Sequence, residues 1–271
     1  MKTVLGIDIG SSTTKIVGYQ DGEWIGGLQI DTQDQITALY GAIGRFIEDY
    51  DVAWATVSRI VLTGMGATRI TGDVLNVPTL WVDEFEAIAK GGLHLANKED
   101  AILVSMGTGT AYVLALGGRV SHIGGSGVGG GTLLGLSKIL FKKEDFKDLL
   151  DLASKGNLSK VDLTIGDISD GDIETLPDYL TAANFGKVQG NATTHDVALG
   201  LVNMVVQTIG MLAVFAYKNN SVNHVILTGG LTGFPQVKET FQIFQELHNI
   251  EFIIPEKANF ATAIGAVIDH V

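Results

Sequence analysis

The sequence predicts an α/β protein of two related domains, each a mixed β-sheet flanked by helices, and three observations carry that prediction. A pattern of strand, hydroxyl-and-glycine turn, strand, tight turn and strand occurs twice, starting about a hundred residues apart. After each occurrence, apolar segments with helical spacing alternate with short β-branched runs. The length, 271 residues, is near that of two average domains.

In the first half, Thr3–Ile7 reads as a strand, Asp8–Thr13 as a tight polar turn and Lys15–Tyr19 as a second strand. Asp21-Gly22 is a strong hairpin signal before Trp24-Ile25. Apolar spacing predicts a helix over residues 34–49. A strand follows over residues 59–62, closing on Thr63-Gly64-Met65-Gly66, and then a helix over residues 84–97. The second half opens with a strand at residues 101–105, the turn Gly107-Thr108-Gly109-Thr110, a strand at residues 112–116, and Gly117-Gly118 before Arg119-Val120. Helices are predicted over residues 131–140 and 145–154, a polar excursion over 155–177, and a long helix over 197–217. A strand over residues 222–227 ends on Thr228-Gly229-Gly230. A helix near residues 234–247, a strand at 252–254 and a last helix from Phe260 complete the chain. The domain boundary is placed near residue 100, giving an N-terminal domain of residues 1–100 and a C-terminal domain of residues 101–271.

Composition narrows the function. Hydrophobic residues make up 46% of the chain against 18% charged, which suits a large buried core. Lys plus Arg total 18 and Asp plus Glu 30, a formal charge of −12, with no basic run to track a phosphate backbone; nucleic acid is not an expected partner. The absence of cysteine removes disulfides, thiolate metal sites and cysteine nucleophiles. Asp8 also interrupts the apolar opening too early for a signal peptide, so a cytoplasmic protein is expected. The uncharged stretch 197–217 is long enough to cross a bilayer, yet Asn203 and Gln207 share one helical face. It is read as a buried core helix, and no membrane partner is expected.

Turns rich in glycine and hydroxyls let backbone N–H groups converge on a phosphate. Two such turns at matching places, Gly10–Thr14 and Gly107–Thr110, would flank one cleft if the halves face each other; the alternative is a pair of ordinary hairpins. Asp8 could then hold Mg²⁺ directly or through water, and Lys15 could offset phosphate charge. No Walker loop is present. The run from Gly125 to Gly130 satisfies Gly-x-Gly-x-x-Gly but lacks the acidic partner of a dinucleotide site. Gly129–Thr132 is read instead as a helix start against which a nucleotide would lie. Asp83, Glu84 and Glu86 lie where a strand meets a helix. One acid there suits an N-cap, and another could orient and deprotonate an acceptor hydroxyl. Spacing does not choose among the three.

Taken together, Gly6-Ile7-Asp8-Ile9-Gly10 with Lys15, the Val82–Ala87 segment, Met106–Thr110, Gly124–Thr132 and Leu180–Gly186 resemble the type II pantothenate kinases over nearly the whole chain. The resemblance implies the actin-like, ribonuclease H-like fold shared by sugar kinases, actin and heat-shock chaperones, with ATP between the domains. It further implies phosphorylation of pantothenate to 4′-phosphopantothenate, the first step of coenzyme A biosynthesis, with Mg²⁺ and a homodimer. The family's Glu-Phe-acid-Ala segment selects Glu84 as the catalytic carboxylate. Its nucleotide contacts fall on Asp8, Gly10, Ser11, Ser12, Thr13, Thr14, Lys15, Thr108, Gly130, Gly131, Thr132, Phe146 and Gly230, and its acceptor contacts on Glu84, Thr108, His122 and Ala183. One position departs: His122 stands where the family carries an arginine that grips pantothenate. Histidine is shorter and lacks the fixed charge of a guanidinium. Amino-sugar kinases of the same superfamily and a non-catalytic ATP sensor are the competing readings. The opening motif also resembles the ATPase activators of acyl-CoA dehydratases, whose thiolate-bound iron–sulfur cluster a chain without cysteine cannot hold.

Overall fold

The computed structural model describes residues 1–31, 34–169 and 177–271; part of the excursion predicted at 155–177 lies outside the described residues. The first half consists of β1 (Thr3–Ile9), β2 (Thr13–Gln20), β3 (Glu23–Asp31), α1 (Gln35–Asp49), β4 (Val57–Thr63), β5 (Thr79–Trp81) and α2 (Glu84–Ala96). The second runs through β6 (Ala101–Met106), β7 (Thr110–Leu116), β8 (Arg119–Ser126), α3 (Gly130–Phe141), α4 (Phe146–Ala153), the short strands β9 (Leu163–Thr164) and β10 (Thr181–Ala183), α5 (Thr194–Lys218), β11 (His224–Thr228), α6 (Pro235–His248), β12 (Glu251–Ile253) and α7 (Ala261–Val267).

The two five-stranded sheets repeat one plan. Their orders are β3-β2-β1-β4-β5 and β12-β11-β6-β7-β8, each with an antiparallel meander on one side and two parallel strands on the other. The central strands β1 and β6 are apolar almost throughout because both faces of each sheet are covered. Helix α1 seats Leu39, Ile43 and Phe46 on the outer face of the first sheet. The uncharged α5 lies against the second sheet, and its Val202, Val205, Val206 and Ile209 are fully buried. It is a core helix, as its polar edge predicts: Asn203 donates to Asp162 of the excursion at 2.7 Å and Gln207 to Thr181 of β10 at 3.2 Å.

Helices α2 and α7 occupy the space between the sheets. Ala87 packs with Val4, Val17 and Val61 of the first sheet, while Ile88 and Ala89 pack with Leu103, Val113 and Ile226 of the second. The proposed division at residue 100 separates the two sheets but not their helices, since α7 returns to cover the first sheet with Ala263, Ile264 and Val267. The helices touch through glycine. A methyl group on Gly91 would lie 1.8 Å from the Ala261 carbonyl oxygen, and one on Gly265 would lie 1.9 Å from the Ala87 carbonyl oxygen. Overpacking at such a contact costs about 2–3 kcal/mol. Gly91→Ala should therefore lower stability by about that amount in a urea titration. Gly44→Ala, on an open face of α1 with nothing within 4 Å, should raise it by about 0.5–1 kcal/mol. Equal effects at both positions would show that the crossing is not a backbone contact.

Candidate active site

The two hydroxyl-and-glycine turns meet across the gap between the sheets. Ser11 Oγ donates to Thr108 Oγ1 at 3.1 Å, and Ser12 shares a second hydrogen bond with the same hydroxyl. Beside this junction lie two cavities. One, of about 390 Å³, is lined by Asp8, Gly10, Ser11, Thr13, Lys15, Glu84, Phe85, Thr108 and His122. The other, of about 470 Å³, takes Ser12, Thr13, Lys15 and Thr108 at one end and Gly130, Gly131, Leu134, Phe146 and Gly230 beyond them.

Backbone geometry explains the open mouth of this junction. β4 and β11 both end on glycines at positive φ, Gly64 (+87°) and Gly229 (+93°). A Cβ on either would strike the chain ending the central strand, at 2.6 Å from the Ile9 carbonyl and 2.5 Å from the Met106 carbonyl. Gly64 also passes close to Asp8: its absent Cβ would sit 2.6 Å from Asp8 Oδ1.

Asp8 is flanked in register by Lys15 on β2 and Thr63 on β4. Burial pushes the Asp8 carboxyl up, and the Lys15 charge only partly offsets it; burial pulls the Lys15 ammonium down, with Asp8 opposing. Thr63 Oγ1 is buried with no hydrogen-bond partner. A carboxylate disfavoured in its own fold, beside an orphaned hydroxyl, is an oxygen-donor set that fits Mg²⁺, which keeps most of its waters and takes one or two protein carboxylates.

Of the three carboxylates left open by the sequence, Glu84 is the one that lines either of these two cavities. Asp83 is the N-cap of α2, its Oδ1 accepting from the Phe85 and Glu86 amides at 2.9 and 3.2 Å. Burial raises the Glu84 carboxyl, and the nearby Asp8 raises it further; the Met65 amide, donating to it, works the other way. His122, on β8, stacks on Phe85 with ring centroids 4.3 Å apart and planes 14° from parallel.

Several predicted contacts are placed differently. Thr14 is fully buried and lines neither cavity, because alternation along β2 turns it away from the face that Thr13 and Lys15 share. Thr132 lines neither; its hydroxyl accepts from the Gly129 amide and donates to the Gly127 carbonyl. The Gly130 and Gly131 amides, expected to face phosphate, bond to the carbonyls of Gly107 and Thr108 at 2.9 and 2.8 Å. Those glycines therefore offer bare backbone rather than free donors: a Cβ on Gly130 would press on Phe146 at 3.1 Å. Ala183 is exposed on β10 and lines neither cavity within one chain. Sequence reasoning missed Gln29 and Asn259, which line the larger cavity; each is an isolated amide outside any motif.

Fold and cleft define the class: a two-sheet α/β protein of the actin-like fold with a cleft between its halves. The chain belongs to the Fumble family, whose model matches residues 100–268. Relatives include a type II pantothenate kinase of Bacillus cereus, 26% identical over 279 residues covering 99% of this chain and 98% of the relative. Another, from Oceanobacillus iheyensis, is 31% identical over 196 residues, 69% of this chain and 73% of the relative. Among solved structures, an activator of the 2-hydroxyisocaproyl-CoA dehydratase from Clostridium difficile with bound ADPNP superposes with a TM-score of 0.70 at 16% identity, covering 98% of this chain and 93% of the other. A ROK-family glucokinase from Streptomyces griseus in complex with glucose and AMPPNP gives 0.58 at 12% identity, with 97% of each chain covered. At these identities the likeness is one of fold.

Raised carboxyls carry a sign. A group whose folded pKa lies above its unfolded value adds stability that is fully present below the unfolded pKa and lost as pH rises through the folded one. Ionised Glu84 therefore costs stability near neutrality. Glu84→Gln should melt higher than the parent chain at pH 7, with the difference shrinking as pH falls toward about 4, the ordinary carboxylate range. A variant that melts no higher at pH 7 would show that the site does not disfavour the charge.

Proposed function

We propose that this protein transfers the γ-phosphoryl group of ATP to the primary hydroxyl of pantothenate, giving 4′-phosphopantothenate for coenzyme A biosynthesis. The observation that carries the reading is Glu84 in the same cavity as both phosphate turns, within a chain whose relatives are type II pantothenate kinases. Ser11, Ser12, Thr13 and Thr108 would hold the phosphates, with Lys15 supplying charge. Phe146, Leu134 and Gly230 would bound the nucleoside. Glu84 orients the acceptor hydroxyl toward the γ-phosphorus and accepts its proton as the new O–P bond forms and the bond to the ADP oxygen breaks. Held at Asp8, Mg²⁺ would neutralise phosphate charge. Phe85, His122 and Ser126 line the acceptor side of the cavity. A homodimer suits the exposed Ile139 and Leu140 on α3 and Leu212 and Phe215 on α5, two helices that pack together.

Mass spectrometry of the protein with Mg-ATP and pantothenate should yield phosphopantothenate, and amino sugars in parallel should remain unmodified. A phosphorylated amino sugar with untouched pantothenate would overturn the acceptor. Glu84→Gln should bind ATP as before and lose about 10²-fold in turnover. In the parent chain turnover should fall as pH drops through the raised Glu84 pKa, because the base must be ionised to accept a proton. His122→Arg should lower the KM for pantothenate and leave that for ATP unchanged; an unchanged acceptor KM would place His122 outside the acceptor contacts.

A further inference from the structure

Duplication gives the protein a second groove. The relation that carries β1, β2, β3, β4 and β5 onto β6, β7, β8, β11 and β12 also carries α2 onto α7, and the helical turn after β4 (Met65–Arg69) onto the turn after β11 (Gly230–Gly233). Three such pieces build the acceptor side of the active site: Met65 of the first turn, Phe85 at the start of α2, and His122 with Ser126 on β8. Their counterparts are Thr232, the turn leading into α7, and the β3 segment from Trp24 to Gly27. These line another cavity, of about 970 Å³, which α6 and β12 complete.

The second groove cannot do the same chemistry. Counting from the Ala87–Ala261 pair, the position of Glu84 falls on Ala258, which is buried. No carboxylate therefore stands where an acceptor hydroxyl would be deprotonated. Cations stand nearby instead. Lys257, at the position of Asp83, holds its ammonium 5.0 Å from the centroid of the Trp24 ring, and Lys238 joins it from α6. Glu256 is the one acid in the lining, and among the described residues neither lysine forms an ion pair. In a chain of net charge −12, two unpaired lysines opposed by one glutamate at a single hollow are complementary to a singly charged anion.

The walls are aromatic. Trp24 and Phe260 approach from the two halves with ring centroids 6.5 Å apart, and Phe241 packs edge-on against Phe252 at 5.0 Å. Gly26 and Gly27 let rings lie on bare strand: a methyl group on Gly26 would be 2.1 Å from the Tyr50 ring, and one on Gly27 would be 3.2 Å from that of Phe260. β3 and β12 are both sheet edges. At the groove, however, the Tyr50 hydroxyl donates to the Gly27 carbonyl at 2.9 Å, and the Phe252 amide donates to Gln245 Oε1 at 3.3 Å. Each edge has thus spent a peptide group that an added strand would need, which favours a small molecule over an extended peptide. An aromatic hollow with a few charged groups at its border is the usual form of a small-molecule site.

We propose that this groove is a non-catalytic binding site for a small monoanion with a flat apolar body, an aromatic carboxylate or sulfonate. Lys257 and Lys238 meet the charge, and Trp24 and Phe252 flank the body. The proposal stands apart from the function proposed above.

Anilinonaphthalene sulfonate has this chemistry and reports its own binding by fluorescence. The parent chain should bind it saturably, and the uncharged phenylnaphthylamine about tenfold more weakly, the loss expected for a charge-assisted contact. Reversing both lysines, Lys238→Glu with Lys257→Glu, should raise the Kd of the sulfonate about tenfold and that of the uncharged amine less than about twofold. Lys155→Glu, an exposed lysine outside the groove, should change either Kd by less than about twofold. Gly230 and Asn259 line both this groove and the nucleotide cavity, so location is tested with saturating Mg-ATP: the sulfonate should stay bound, its Kd moving at most to a finite limit. Complete displacement by ATP would put the probe in the nucleotide cavity and overturn the proposal. So would the absence of saturable binding, or a double variant that binds the sulfonate as the parent does. If ATP itself fails to bind, the lysine variants still decide, and that failure counts against the nucleotide reading alone.

Discussion

The contact on which this structure depends is the crossing of α2 and α7 at Gly91 and Gly265. Each helix offers an Ala-x-x-x-Gly stretch, Ala87 to Gly91 and Ala261 to Gly265, and each glycine rests on the carbonyl of the other's alanine. The reciprocity is that of a two-fold axis, and it follows from the repeat: α2 comes after the last strand of the first sheet and α7 after the last strand of the second. Two helices that pack backbone to backbone fit between two sheets at a spacing that bulkier side chains would widen. That spacing sets the distance across which Ser11 and Ser12 reach Thr108.

The same crossing positions the polar groups of the cleft. Glu84 is the first residue of α2, so its height above the phosphate turns is fixed by the helix it begins. Around it the fold accepts an electrostatic cost. Asp8 and Glu84 are both raised by burial, Asp8 raises Glu84 further, and burial pulls Lys15 down. The attraction between Asp8 and Lys15 only partly offsets the burial of the two, so apolar packing alone would not select these groups here. Such groups persist where charge is needed for binding and chemistry, and the apolar packing of the two sheets and α5 carries the stability.

The repeat was legible in the sequence because its signals are local: alternating apolar strands, a turn built of glycine and hydroxyls, and Asp21-Gly22 or Gly117-Gly118 at the hairpins. Helix existence was legible for the same reason, and Asn203 with Gln207 correctly marked α5 as a core helix with a polar seam. The destination of α7 was not legible. Ala, Gly and Ile in a short apolar helix say that it is buried and not against what. At the site, the motif named a stretch of hydroxyls but could not say which served the cleft. Strand alternation separates Thr14 from Thr13 and Lys15, the cap of α3 consumes the Thr132 hydroxyl, and the carbonyls of Gly107 and Thr108 take up the Gly130 and Gly131 amides. Spacing could not separate Glu84 from Asp83, since both are acids in one short run; the family resemblance chose Glu84, and the structure adds that Asp83 is taken up by the helix cap.

The two-fold relation also explains why the cleft holds two unlike cavities. Two residues before Ala87 on the chain comes Phe85, and two residues before Ala261 comes Asn259. The repeat therefore presents equivalent positions to the two sides of one junction, and the halves have filled them differently. On the side of Glu84 the position carries an aromatic ring that His122 covers, which builds an apolar wall beside a carboxylate. On the other it carries an amide that reaches Gln29 and keeps an acceptor free. The two sides of the junction are thereby chemically unlike, an apolar wall beside a carboxylate on one and a pair of amides on the other. Divergence at one pair of symmetry-related positions is thus enough to make the two sides of a duplicated fold, which by itself would offer two similar surfaces, chemically distinct.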